Sequence, residues 1–167
     1  QMCIRDRCID EASVIEISNP MSENYQFVRP SIIPSLLSAE TVSGNAVYPH
    51  RTFETGKIAY LAPEENTGTR TCQSLGFAAV HQEANFNEAA SLVAGLLYYL
   101  QLEYHVTETH DPRFIEGRQA GILYKGNQIG IFGELHPQVL ENWAITVPAF
   151  AGELDIETLI PAYQAKK

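Results

Sequence analysis

Short runs of alternating apolar and polar residues predict several strands in the first half of the chain. Residues 13–18 alternate between apolar and polar side chains and are followed by Asn19-Pro20, which is typical of a strand that ends in a turn. Residues 52–61 and 74–81 carry further strand patterns, and the first of these is predicted to break near Gly56. Residues 63–71 between them are polar and rich in turn formers, so the two runs are expected to pair as a hairpin.

The strongest helical pattern covers residues 85–102, where apolar side chains recur at spacings of three and four. Asn85 followed by Glu88 resembles a capping box at its start. Another helix is expected to begin at Ser31, whose hydroxyl can accept a bond from a free backbone N–H, and to end at about residue 45. Pro34 lies in its first turn, where the missing N–H costs little.

The second half of the chain repeats the strand pattern. Strands are expected at residues 104–109 and 147–154, and a hairpin joins residues 120–124 to 129–132 with Gly126-Asn127 at its tight turn. Pro137 suits the first position of a helix that ends near residue 143. Antiparallel strands with a few helices laid on one side predict an α+β fold.

Charge and length limit the functions that the chain can perform. It has 167 residues, and 11 Lys and Arg against 20 Asp and Glu give a net charge of −9. Binding a phosphate backbone over a broad face requires clustered Lys and Arg side chains. Any contact of this acidic chain with nucleic acid should therefore be confined to a small area. No apolar run reaches the ~18 residues of a membrane span. Three cysteines without zinc or disulfide spacing, Cys3, Cys8 and Cys72, favour a reduced cytoplasmic protein.

The ends of the chain differ from its middle. Residues 1–12 contain QMCIRDRC, which has mixed charges and lacks the apolar region of a signal peptide. They are expected to be non-native or a linker remnant of a longer chain. Residues 13–160 are expected to form the core domain, and residues 161–167 a C-terminal tail.

Histidines and acids suggest a metal site, because imidazole and carboxylate groups suit zinc or iron. The candidates are His110-Asp111 and Glu134 with His136, but neither forms a string at ligand spacing, and the sequence predicts no metal site. Cys72 lacks the local signature of a nucleophile and is interpreted as a small apolar residue.

Four strings in order carry a family resemblance: ISNPMSENYQFVRPSIIPSLL, RTFETGKIA, DPRFIEGRQAGILYKGNQIGIFGELHPQVLENW and PAFAGELDIETL. The chain resembles the β subunit of phenylalanyl-tRNA synthetase, and more narrowly its C-terminal catalytic-like core module in the archaeal/eukaryotic form. The resemblance covers roughly residues 13–160. It implies a class II aminoacyl-tRNA synthetase-like antiparallel sheet flanked by helices.

The resemblance also implies a function. In that family an α2β2 assembly charges tRNA(Phe) with phenylalanine, using ATP and Mg²⁺, and the chemistry lies on the α subunit. The β core supports assembly and tRNA positioning. The expected partners are therefore the α subunit and, through the holoenzyme, tRNA(Phe), with no cofactor bound by this chain and no membrane.

The arginines of a working class II site are missing from the matching strings. Catalytic relatives place an Arg after Phe in a string like F-R-x-E, whereas this chain has Phe53-Glu54-Thr55. They place another Arg after a glycine-rich strand end, whereas this chain has GIFGELHP and no later Arg. Without these cations the developing charge on a triphosphate is not neutralised, so no catalytic residue is predicted.

The stretch GIFGELHP is therefore interpreted as structural. Gly133 is expected to let the chain leave a strand tightly, and Pro137 to open a helix. Glu134 and His136 are expected to be capping or surface groups near that helix. Arg118, which borders the amino-acid pocket in catalytic relatives, could hold an internal carboxylate or a partner surface.

The segment that resembles motif 1 is predicted to form the subunit interface. Arg29 is expected to reach an acid or a carbonyl on a partner, while apolar residues of the following helix pack across the boundary. The predicted interface set is Arg29, Pro30, Ser31, Ile33, Leu36 and Leu37. The alternative function is a free-standing synthetase-like module that binds a small ligand or a protein, and metal-dependent hydrolysis is a third hypothesis.

Overall fold

The computed structural model describes residues 14–21, 26–43 and 47–165. Residues 1–12 and 44–46, on which the predicted linker remnant and the predicted end of the first helix fall, lie outside the described residues. Within the described residues the elements are β1 (Ile15–Glu16), β2 (Phe27–Val28), α1 (Ile33–Val42), β3 (His50–Leu61), β4 (Thr69–Val80), α2 (Phe86–Tyr99), β5 (His105–Thr107), β6 (Phe114–Tyr124), β7 (Asn127–Leu135), α3 (Pro137–Asn142), β8 (Ala149–Asp155) and α4 (Ile156–Gln164).

The main sheet has six strands in the order β3-β4-β8-β7-β6-β5, and every neighbouring pair is antiparallel. The strands β1 and β2 form a separate antiparallel pair. The predicted α+β class and antiparallel sheet are confirmed. The prediction that the helices lie on one side is wrong, because β8 in the middle of the sheet is buried on both faces. Both faces therefore need a cover.

One face of the sheet packs against α1 and α3, and the other packs against α2. The first core contains Ile33, Leu36 and Leu37 of α1 together with Val139 of α3. The second core joins Val93 and Leu97 of α2 to Phe132, Phe150 and Leu159. The rings of Phe86 and Phe132 stack with centroids 5.3 Å apart, which fixes the start of α2 on β7.

The hairpin of β3 and β4 is longer and more regular than the sequence pattern indicates. β3 continues through Gly56, which pairs with Ser74, so the predicted break is wrong. The glycine has a packing reason, because the guanidinium of Arg29 occupies the position that a Cβ would take. Gly56 therefore admits Arg29 to the strand without interrupting the ladder.

The turn between β6 and β7 is shifted by one residue from its prediction. Lys125 and Gly126 form the turn with φ values of 49° and 83°, and Asn127 already belongs to β7. Two successive positive φ values are typical of the primed turns that close two-residue hairpins. Glycine adopts this conformation freely, whereas Lys125 pays a steric cost.

The helices follow their local signals closely. Asn85 caps α2 by accepting a bond from the backbone N–H of Glu88, which confirms the predicted start. The reciprocal half of a capping box is not formed by Glu88, whose carboxylate pairs with Arg51 at 2.8 Å. The helix ends at Tyr99 rather than at residue 102. At the C-terminal end of the chain, α4 crosses the predicted boundary between the core at residue 160 and the tail at residue 161.

Candidate functional site

Arg29, the first residue of the predicted interface set, is held within this chain. Its Nε donates to the carbonyl of Lys57 at 3.0 Å, and its Nη1 donates to Glu54 Oε1 at 2.5 Å and to Ser35 Oγ at 3.1 Å. The expected acid and carbonyl partners therefore exist, but both belong to β3 of the same chain. The expected contact of Arg29 with a partner subunit stays a prediction.

The apolar members of the predicted interface set face inward. Ile33, Leu36 and Leu37 are between 1% and 4% exposed and belong to the core under the sheet. Side chains this buried offer little area to a partner, and their part in a subunit interface stays a prediction. The outward side of α1 includes Val42, which is 85% exposed. Pro30 is half-buried between Arg29 and this helix.

Ser31 belongs to a buried polar network centred on Glu153 of β8. Ser31 Oγ donates to Glu153 Oε2 at 2.5 Å. Glu153 Oε1 accepts from the backbone N–H of Ile32 at 3.1 Å and from Ser74 Oγ at 2.8 Å. A buried carboxylate is costly unless hydrogen-bonded, and here each oxygen has a donor. Ser31 also accepts from the N–H of Ile33 at 3.3 Å, as the sequence predicts, but α1 begins at Ile33 rather than at Ser31, and its N-cap is Ile32 without a side-chain cap.

Arg113 and Asp111 extend this network toward the start of β6. Arg113 Nη1 donates to Ser31 Oγ at 2.7 Å, and its Nε and Nη2 bind Asp111 at 3.0 and 2.7 Å. Burial by itself raises the pKa of Asp111, but the hydrogen bonds and charge of Arg113 outweigh it and leave the pKa below its usual value. Asp111 is therefore an ionised partner of an arginine rather than a proton donor.

Sequence reasoning missed Glu153, Ser74, Arg113 and Asp111 as a connected group. A weak signal was present in the string AFAGELD, where Glu153 interrupts a run of apolar residues. A lone carboxylate within a buried strand requires donors from other elements. The identity of those donors depends on contacts 79 and 122 residues away along the chain.

Glu134 connects three elements on the opposite face. Its Oε2 accepts from Arg118 Nη1 at 2.8 Å, so Arg118 does hold an internal carboxylate. Its Oε1 accepts from the backbone N–H of Phe86 at 2.8 Å. Glu134 therefore caps α2, not the helix that follows it in sequence, because strand β7 points this side chain toward α2. A carboxylate at a helix N-terminus is stabilised by the free N–H groups there.

His136 has the capping role that the sequence predicts. Its Nδ1 accepts from the backbone N–H of Gln138 at 3.1 Å, and Pro137 opens α3. The interpretation of Gly133 is wrong, because β7 continues past it to Leu135. A Cβ at Gly133 would lie 2.7 Å from the carbonyl oxygen of Arg118, so the glycine allows the close approach of β6.

The arrangement does not resemble a nucleophilic or metal centre. Burial raises the pKa of the Cys72 thiol, as do nearby acids including Asp155, so its thiolate is disfavoured. Among the described residues, no group of three His, Cys, Asp or Glu side chains converges closely enough to hold a metal ion. No helix in the described part of the chain combines the length and apolarity needed to cross a membrane.

Comparison with known proteins identifies the family. The family model described as "Phenylalanyl tRNA synthetase beta chain CLM domain" matches residues 5–156. The phenylalanine–tRNA ligase beta subunit of Treponema pallidum is 58% identical over 161 residues, which cover 96% of this chain and 26% of that protein. The corresponding subunit of Borreliella burgdorferi is 43% identical over 152 residues, covering 91% and 27%. The chain thus spans about a quarter of the length of these relatives.

The fold is also found among solved structures. A pyrrolysyl tRNA synthetase of Desulfitobacterium hafniense superposes with a TM-score of 0.72 over 99% of this chain and 59% of that chain, at 13% identity. At this identity the likeness concerns the fold, which is that of a class II tRNA synthetase. With this sheet and the match of its sequence over nearly the whole length, the chain belongs to the family of the phenylalanyl tRNA synthetase beta chain CLM domain.

Proposed function

We propose that this chain is a non-catalytic, synthetase-like core module of a phenylalanine–tRNA ligase β subunit. In this proposal it supports α2β2 assembly, and the α subunit attaches phenylalanine to tRNA(Phe). The observation that carries the proposal is that charged groups on the class II-like sheet are neutralised by one another. Arg29 binds Glu54 and Arg113 binds Asp111, so both are already committed to structural contacts.

A charge committed to a structural contact is a poor catalyst. Releasing Arg113 would leave the carboxylate of Asp111 partly buried without its partner, at a cost of about 3–5 kcal/mol for a buried pair. Adenylate chemistry needs cations that meet the phosphates at the moment of reaction. The geometry therefore favours a scaffold over an active site.

The holoenzyme's ATP and Mg²⁺ are assigned in this proposal to the α subunit, and no cofactor to this chain. The net charge of −9 supports a minor part in tRNA binding, with most basic contacts on other modules. We further propose the archaeal/eukaryotic type of β subunit and a cytoplasmic location. The four ordered strings support the type, while the relatives reported above are bacterial.

The proposed role of the motif 1-like segment in assembly is indirect. Arg29 and Ser31 fix α1 against β3 and β8, while Ile33, Leu36 and Leu37 anchor it to the core. The exposed end of α1 at Val42 is then available to an α subunit. An exposed valine held on a rigid helix is a suitable interface anchor, because a fixed element loses little entropy on binding.

Co-expression tests the proposal. The full-length β subunit that contains this chain is produced with a phenylalanyl-tRNA synthetase α subunit, and the mass of the product is measured by size-exclusion chromatography with light scattering. We expect an α2β2 mass that is lost or weakened in Val42→Asp. Leu36→Asp is unsuitable as the test variant, because a buried charge would unfold the domain.

A matched control is Val106→Asp on the edge strand β5, at the other end of the sheet order, where the valine is 60% exposed. It is expected to leave the mass unchanged. A β subunit that remains monomeric and compact with α present would overturn the proposal in favour of the free-standing binding module. If both variants still form the α2β2 complex, only the assignment of Val42 to the interface is refuted.

A further inference from the structure

A concave cavity of about 710 Å³ lies between the end of β7, helix α3 and the segment 143–148 that leads into β8. We call it the α3 cavity. Cavities of roughly 300–1,000 Å³ hold small molecules in other proteins. It shares no lining residue with the Ser31–Glu153 network, so the role proposed above makes no use of it.

The walls of the α3 cavity are mainly apolar. Leu135, Ile145 and Val147 are buried in the core and present part of their surface to the cavity, and Leu140 of α3 adds a half-buried side chain. An apolar wall backed by a packed core changes shape little when a ligand enters. The cavity therefore suits the hydrocarbon part of a small molecule.

Arg118 supplies the cation of the cavity, and its side chain, which is 60% exposed, pairs with one carboxylate. Its Nη1 donates to Glu134 Oε2, and Glu134 is itself fixed by the N–H of Phe86. Arginine has five N–H donors in a planar fork. Among the described residues, Glu134 is the partner that its side chain contacts, which leaves the Nε and Nη2 edge free for an anion.

The charges at the cavity limit the anion that can bind. Glu134 and Glu141 line it together with Arg118, so the lining carries two carboxylates and one guanidinium. This excess of negative charge repels a phosphate or a dicarboxylate most, so the anion least disfavoured is a single carboxylate, which can bind the free edge of Arg118 in bidentate fashion. The structure thus combines one oriented guanidinium with apolar walls and an excess of negative charge.

We propose that the α3 cavity binds a small monocarboxylate with an apolar body. The carboxylate accepts bonds from Nε and Nη2 of Arg118, and the body lies against Leu140, Ile145 and Val147. This inference does not depend on the proposed assembly function. The binding site belongs to this chain, whichever subunit accompanies it.

Fluorine NMR tests the site on the full-length subunit, purified with whatever subunit it assembles with. The probe is a hexanoate with a terminal trifluoromethyl group, and the matching hexanamide is the neutral comparison. We expect the carboxylate to bind at least about tenfold more tightly than the amide, since hydrogen bonds to charged groups are the stronger ones. Equal binding of the two probes, or no binding, would overturn the proposal.

Two variants locate the probe. Arg118→Met should weaken the carboxylate about tenfold or more. The matched control is Arg51→Met, since Arg51 is as exposed as Arg118 and pairs with Glu88 at the same 2.8 Å distance but does not line the cavity. If Arg118→Met does not fold, Thr146→Trp fills the cavity from its exposed rim and should block the probe. If every cavity variant that folds still binds the carboxylate probe as tightly as the wild type, the proposal is refuted.

Discussion

Ser31 and Glu153 are 122 residues apart in the chain, yet Ser31 Oγ lies 2.5 Å from Glu153 Oε2 beneath the sheet. This contact ties the start of α1 to the central strand β8. Since both residues are buried, the hydrogen bond is protected from water. The first turn of α1 therefore depends on a side chain that the sequence places far away.

Glu153→Gln is expected to lower the free energy of unfolding by about 1–3 kcal/mol, the cost of a buried polar group without a partner. The amide nitrogen would face a donor, either the N–H of Ile32 or the hydroxyl of Ser31. Ser31 cannot accept a further bond easily, because it already accepts from Arg113 and Ile33. Urea-induced unfolding of the chain measures the change. The control is Glu141→Gln on the surface of α3, and equal effects of the two variants would contradict the network.

Gly76→Ala tests the fit of α1 on the sheet. A Cβ at Gly76 would lie 2.6 Å from Cγ2 of Ile32, so α1 must shift, at a cost of about 1–3 kcal/mol. Gly95→Ala is the matched substitution in α2, where the new Cβ meets nothing within 4 Å. Because glycine is unfavourable within a helix, it is expected to stabilise the chain by about 0.5–1 kcal/mol. The idea fails if the two alanines shift the thermal midpoint in the same direction.

Asp111→Asn gives a pH-dependent effect. The pKa of Asp111 is lowered in the folded chain, so its ionised form stabilises the fold above the unfolded pKa of about 3.9. That contribution is lost as the pH falls through the lower folded pKa. The wild type should therefore exceed Asp111→Asn in unfolding free energy at pH 7, and the gap should narrow below about pH 4. Urea unfolding of both proteins at a series of pH values measures this difference in unfolding free energy. A difference that does not depend on pH would show that it does not come from the Asp111–Arg113 pair.

Gly126→Ala should destabilise the β6–β7 hairpin by about 1–2 kcal/mol, because φ is 83° at this position. Lys125→Asn should stabilise the same turn by a few tenths of a kcal/mol, since asparagine tolerates the left-handed conformation better than lysine. Amide exchange of residues 122–130 reports on the hairpin directly. Faster exchange in Gly126→Ala and slower exchange in Lys125→Asn are expected, and the reverse order would refute the turn assignment.

Asn85→Ala removes the side-chain bond to the N–H of Glu88 and should cost about 0.5–2 kcal/mol. Ser91→Ala in the same helix is the control, because its hydroxyl only bonds back to the carbonyl of Asn87. That substitution is expected to be neutral or slightly stabilising. Unfolding midpoints of the two variants are compared, and an Asn85→Ala midpoint equal to that of the wild type would argue against the cap.

The sequence by itself determined the elements whose signals are local. Helix α2, with its apolar stripe and Asn85 cap, and the hairpin of β6 and β7 follow from neighbouring residues. These patterns extend over only a few residues, so they can be recognised directly in the sequence. The order of four strings was enough to indicate the family, which the comparisons confirm.

The tertiary structure decided where each charged side chain finds its partner. Sequence predicted Arg29 as an intersubunit contact and Glu134 as a group near α3, but the fold gives Arg29 to Glu54 and Glu134 to the start of α2. It also placed Leu36 in the core under the sheet. The physical reason is that periodicity identifies an apolar face but not what covers it. The partner of a charge is set by strand order and register, which bring distant residues together.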